Sequence, residues 1–376
     1  MIEKSDRSSL REIAGLFLRL GLTAFGGPAA HLGLMEREAV TRRRWMTREG
    51  FLDLVGACNL LPGPSSTQVA MALGYTRGSW LGLMVAGVCF FGPAALATLG
   101  LAWAYVRYGS LPQAQGLLYG AKPVMVALIA QAVWKLGRTA LKNAWLAMAG
   151  AACFWAAVLG AAPLAVLLVS GGVMLAIAWG RRRANAAMGI ALVPMAVGAG
   201  SAAGLLPVFL VFLKLGVVVF GSGYVLLAFF QSDLVDRLHW VTQGQLLDAV
   251  TAGQVTPGPV FASATFLGYL IAGWSGAGVA TFAIFAPSFV LAGVAAMLAG
   301  RIRRSVLAGA FLDGVNVAAV AVMAAVALTL GRAALVDVWT LGLGVVCVGL
   351  LTGTKINPAW LILGGAIVGM LAHGLK

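Results

Sequence analysis

Long apolar runs, separated by short stretches rich in arginine and lysine, fill most of the chain. Runs at 79–105, 144–159, 163–179, 186–206, 274–299 and 357–374 have the length of helices that cross a hydrocarbon core about 30 Å thick. None alternates over about ten residues as the strands of a membrane barrel do. The pattern predicts an all-α polytopic membrane protein with about nine full crossings.

Other apolar segments are interrupted. The run at 13–35 is broken by Gly26-Gly27-Pro28, and the run at 208–230 by Gly221-Ser222-Gly223. Pro62-Gly63-Pro64 and Pro257-Gly258-Pro259 break two more. Non-helical backbone at membrane depth is tolerated only inside protein or beside a wet cavity. These segments are therefore expected to be broken or re-entrant, with 13–35 and 208–230 entering and returning as hairpins.

The breaks recur because the chain repeats itself. Phe17-Leu18-Arg19-Leu20-Gly21 returns as Phe212-Leu213-Lys214-Leu215-Gly216, and the same offset pairs Trp45 with Trp240 and Asp53 with Asp248. It also pairs the two Pro-Gly-Pro elements. After a one-residue slip, Leu73-Gly74-Tyr75 matches Leu267-Gly268-Tyr269, and Pro93 and Gly120 match Pro287 and Gly314. So many glycines, prolines and charges in step mark a duplication.

Basic residues orient the two copies. The loop at 36–50 holds Arg37, Arg42, Arg43, Arg44 and Arg48, whereas its counterpart at 231–245 holds only Arg237. The next loop reverses the bias, with Arg107 against Arg301, Arg303 and Arg304, and the third reverses it again. Basic loops stay in the cytoplasm, so the halves are expected to be inverted-topology repeats, an arrangement that places a substrate site near the midplane. The expected divisions are a cytoplasmic tail at 1–12, repeats at 13–185 and 207–376, and a linking transmembrane helix at 186–206.

Composition agrees. Charged residues make up 10% of the chain, against about a quarter in soluble domains. The net charge of +14 follows from the basic loops and signals no nucleic-acid partner, for there is no basic, aromatic-bearing soluble domain. It does favour anions near the pore mouths. Cys58, Cys89, Cys153 and Cys347 stand singly, without metal-ligand spacing. No catalytic motif appears, so neither enzyme activity, metal nor cofactor is expected.

The candidate chemistry is anion binding. Each Pro-Gly-Pro element reads as the start of a half-helix whose free N–H groups and positive dipole end would hold an anion. Ser65, Ser66 and Thr67 add hydroxyls beside the first, and Asn59, Gln68 and Gln254 add amides. The plain alternative is a packed kink. Gly26, Gly27, Gly221 and Ser222 form the second paired element, where small residues allow close backbone approach or helix packing.

Arg19 and Lys214 occupy one repeat position inside apolar segments, where a cation is expensive unless it snorkels to the interface. Lys122 reads as the start of a span at its external edge. For proton coupling the candidates are His31, Asp53 and Asp248. The blander reading of the aspartates is helix capping or a first-turn dipole contact, and of His31 a structural hydrogen bond.

Together these motifs resemble the chromate ion transporter (CHR) family in its long, two-domain form. Phe25-Gly26-Gly27-Pro28 with His31, Trp45 and Leu61-Pro62-Gly63-Pro64 carry the likeness in the first half. Phe220-Gly221, Gly223-Tyr224, Trp240, Thr256-Pro257-Gly258-Pro259, Phe266-Leu267-Gly268-Tyr269 and Pro287-Ser288-Phe289 carry it in the second. Ser222 departs from the glycine usual in the family. The resemblance implies chromate efflux across the bacterial inner membrane, with sulfate as the structural analogue. An anion channel, a sulfate or other oxyanion permease and a membrane scaffold stay open as alternatives, and so does a homodimer. The partners expected are the oxyanion and the lipid bilayer.

Overall fold

The structure, a computed structural model, describes residues 9–25, 27–180, 204–220, 223–302, 306–354 and 356–374. Gly26, Gly221, Ser222 and most of the expected tail and linking helix lie outside the described residues.

Among the described residues the chain is helical, without strands. The first half contains α1 (Leu10–Thr23), α2 (Pro28–Glu36), a π-helical turn at Arg37–Arg42, α3 (Arg48–Asn59), α4 (Ser65–Tyr108), α5 (Pro112–Ala140), α6 (Ala144–Val158) and α7 (Pro163–Gly180). The second half repeats this order as α8 (Leu205–Val218), α9 (Val225–Phe230), a π-helical turn at Gln231–Arg237, α10 (Gln243–Val255), α11 (Ser263–Ile302, entered through a 3-10 turn at Val260–Ala262), α12 (Val306–Ala334), α13 (Val338–Gly353) and α14 (Pro358–Gly374).

Local chemistry explains the boundaries. Ser9 caps α1 by accepting from the Glu12 amide, and Ile13, Leu16, Phe17 and Leu20 bury one stripe of it, the spacing of a helix face. With 14 residues, α1 is shorter than the roughly 20 needed to cross a bilayer. Thr47 and Thr242 cap α3 and α10. Asp53 and Asp248 lie a turn and a half further in, so the capping expected of them is performed by the threonines. Lys122 also differs from expectation. It sits well inside α5, because Pro123 is accommodated within a continuous helix rather than starting one.

Both long helices double back. In α4 the backbone leaves helical geometry at Gly78 (φ −136°, ψ 18°) and Ser79 (φ 54°, ψ −148°). In α11 it does the same at Ala272 (φ −144°, ψ 29°) and Gly273 (φ 62°, ψ −149°). Gly74 and Gly82 then touch backbone to backbone, as do Gly268 and Gly276. Each bend is braced edge-to-face, by Tyr75 with Trp80 and by Tyr269 with Trp274.

The halves exchange helices: α6 and α7 pack on α12, while α13 and α14 pack on α5. Small residues permit this. A side chain at Gly120 would collide with the backbone of Gly365 and Gly369, and one at Gly314 with the backbone of Ser170 and Gly171. Reciprocal contacts of this kind, in which i meets j and j meets i, are those of a twofold relation.

Four stretches, Ser65–Tyr108, Pro112–Ala140, Val260–Met297 and Gly309–Ala334, are long and apolar enough to cross a membrane. Leu81, Leu96 and Val290 are exposed on them. Trp145 and Trp339 are exposed at the starts of α6 and α13, and Trp80 and Trp274 just past the bends of α4 and α11, positions where tryptophan can anchor to the bilayer interface. The chain is a multi-pass membrane protein.

Candidate functional site

The two Pro-Gly-Pro turns are where the halves interlock. Gly63 and Gly258 hold φ values of 113° and 102°, which only glycine adopts without strain. The Gly63 amide donates to the Val219 carbonyl at 2.6 Å, and the Gly258 amide donates to the Ala24 carbonyl at 2.9 Å. Ala24 and Val219 terminate α1 and α8. The expectation of free N–H groups thus fails at both glycines, whose donors satisfy the C-terminal ends of α8 and α1, each in the other half.

The N–H groups without an intrahelical acceptor lie one step further on. Pro64 is the N-cap of α4 and brings no side-chain cap, so the first-turn amides of Ser65, Ser66 and Thr67 have no intrahelical acceptor. All three residues are buried. The Thr67 hydroxyl and the Ser288 hydroxyl, both on fully buried residues, make no hydrogen bond. Ser288 reaches this turn from α11, and its Oγ lies 3.1 Å from the place a Cβ on Gly63 would occupy.

His31 closes the cluster. Its Nε2 is 3.1 Å from the Ala24 carbonyl and its Nδ1 is 3.3 Å from Ser66 Oγ. A carbonyl only accepts, so Nε2 carries the proton and Nδ1 accepts from the serine. Gln68 gives its amide to the Pro62 carbonyl and so secures the turn rather than adding a donor. The matching turn of the second half reads Val260-Phe261-Ala262 and offers no hydroxyl. Its Pro257 and Pro259 frame the Gly258 contact. Gln254 is buried before it, whereas its counterpart Asn59 is exposed. Gly27, with φ 80°, is the N-cap of α2.

The other predicted residues lie in separate groups. Arg19 Nη2 is 2.6 Å from Glu38, which also binds Arg42 at 2.9 Å and Arg43. Lys214 repeats the pattern with Asp233 at 2.7 Å, joined by Arg237. Burial pushes the Glu38 carboxyl up, but the guanidiniums of Arg43, Arg19 and Arg42 outweigh it and hold the group below its usual value. These carboxylates escaped the sequence reading, although Glu38 and Asp233 stand at the offset that pairs Trp45 with Trp240. Asp248 meets Lys122 at 3.4 Å and accepts from the Tyr105 hydroxyl at 3.1 Å. Asp248 and Tyr105 border a cavity of about 330 Å³ walled by Leu101, Leu117, Phe266 and Ile362.

Comparison with known proteins assigns the scaffold. The family model described as chromate transporter matches residues 11–177 and 206–370. The chain belongs to the chromate transporter family. A chromate transport protein of Cupriavidus metallidurans is 32% identical over 384 residues, covering 98% of this chain and 94% of that one. A probable chromate transport protein of Synechococcus elongatus is 31% identical, covering 96% and 95%. The uncharacterized transporter YwrA of Bacillus subtilis is 30% identical over 126 residues, 34% of this chain but 71% of its own length. No solved structure matches. For this transporter the relatives point to translocation rather than catalysis.

Proposed function

We propose that this transporter is a secondary carrier that exports chromate, or a sulfate-like tetrahedral dianion, from the cytoplasm across the bacterial inner membrane. The observation that carries the reading is the buried, uncapped start of α4, with the amides of Ser65, Ser66 and Thr67 and the unpartnered hydroxyls of Thr67 and Ser288. Aligned peptide dipoles and free amides make such a terminus an anion site. Hydroxyls from a second helix supply the donors that a tetrahedral oxyanion accepts. The relatives named for chromate transport support the substrate class. In this reading Arg19 and Lys214, each already paired with a carboxylate, shape the field rather than grip the anion.

The twofold axis relating the halves lies in the membrane plane, so that they are inverted; the alternating basic loops support that orientation. Export is favourable because a dianion leaving a negative interior gains about 4.6 kcal/mol per 100 mV. That sustains a ratio of roughly three decades at 1.4 kcal/mol per tenfold. Uptake of labelled chromate into energised inverted vesicles tests the proposal. Accumulation that saturates and shows counterflow supports a carrier, and no accumulation of chromate or sulfate sinks it.

A further inference from the structure

Phe91 and Phe285 are equivalent residues of the two halves, and their rings stack face to face at 4.2 Å with 7° between the planes. A residue meets its own equivalent only on the axis that relates the repeats.

The surroundings make the position informative. Phe289 stands edge-on to Phe91 at 6.3 Å, and Phe261, in the apolar turn of the second half, tilts against Phe285 at 6.3 Å. Gly258 packs on the Phe90 carbonyl, and Gly63 packs on Ser288. The stacked rings thus lie within three residues in sequence of Phe90 and Ser288, the residues these two turns approach. Phe289 follows Ser288 in α11, and Phe261 lies in the turn Val260-Phe261-Ala262 that lacks hydroxyls. Phe285 is buried and Phe91 is half-buried.

We infer that Phe91 and Phe285 form the barrier on the translocation path, a dry aromatic seal that keeps ions from passing the oxyanion site in the resting state. The inference rests on the transport reading above. An ion cannot shed its hydration against phenyl faces that offer no hydrogen bond, so passage requires the two rings to part. Their place on the axis means that one relative movement of the halves separates both at once. Phe289, edge-on to Phe91, and Phe261, tilted against Phe285, hold the two rings in register.

The test uses full-length protein in liposomes, with potential-driven chloride leak read by a chloride-quenched dye and no oxyanion present. Wild type is expected to be tight, and F91A and F285A to leak at least about tenfold faster, the effect of lowering a barrier by 1.4 kcal/mol. F91L and F285L keep most of the volume and the fold, and are expected to leak to a smaller, measurable degree. Wild-type tightness in the leucine variants, and in those alanine variants that fold, overturns the inference. The leak is independent of chromate flux, so a wild type that moves no chromate but leaks on substitution rejects the substrate and retains the seal.

Discussion

Lys122 of the first half lies 3.4 Å from Asp248 of the second, across a boundary that no local sequence signal joins. The Asp248 side chain is 3% exposed. At the equivalents of Lys122 and Tyr105 the other half carries Asn316 and Ala299, so the repeat scaffold does not demand this trio. Lys122→Met alone strands a buried carboxylate and is expected to destabilise by about 3–5 kcal/mol, with Lys122→Met/Asp248→Asn costing far less than the sum. Unfolding of the four proteins in a double-mutant cycle measures the coupling, and additivity refutes it.

Ser79 holds φ 54° and ψ −148° where its equivalent is Gly273. A side chain in that region costs of order 1–3 kcal/mol. Ser79→Gly is expected to raise the thermal midpoint and Gly273→Ala to lower it. If both shift the same way, the bends are not strained alike.

The cluster around Glu38 sets an acid limit. Its carboxyl titrates lower in the folded protein than in the unfolded chain, so its contribution is complete above the ordinary carboxylate pKa, about 4.3. It is lost as pH falls through the folded value. Stability measured from pH 7 downward is expected to drop more steeply below about pH 4 in wild type than in Glu38→Gln.

The donors of α4 give a pattern rather than one number. Thr67→Val and Ser288→Ala each remove a hydroxyl with little change of shape, and each is expected to weaken oxyanion binding by roughly tenfold, the equivalent of one hydrogen bond to a charged group. Ala262→Ser, in the matching turn, is expected to leave affinity unchanged. Competition of sulfate against labelled chromate on purified protein reads all three.

The breaks, the duplication and the glycines at Gly63 and Gly258 were legible in the sequence, because backbone demands leave their mark on residue type. Partner choice was not. The return of α4 on itself after Ser79 looked like the start of a fresh span, since hydropathy has no sign for direction. Pro123 suggested a boundary that continuous helix packing overrides. Glu38 and Asp233 carry no motif of their own, yet they hold Arg19 and Lys214. Ser288 stood within a recognised motif, but only its meeting with Gly63 across the halves gives it a role.

The crossed bonds from Gly63 to Val219 and from Gly258 to Ala24 bear on how the protein is made. When the ribosome has delivered only the first half, the Gly63 amide is already in the bilayer without its Val219 acceptor, and the Ala24 carbonyl has His31 but not Gly258. An unpaired amide or carbonyl there costs several kcal/mol. The first half therefore completes this hydrogen bonding only when α8 and α10 arrive. A stop codon between the repeats should therefore yield a fragment that quality control removes, and supplying the second half in trans should rescue it.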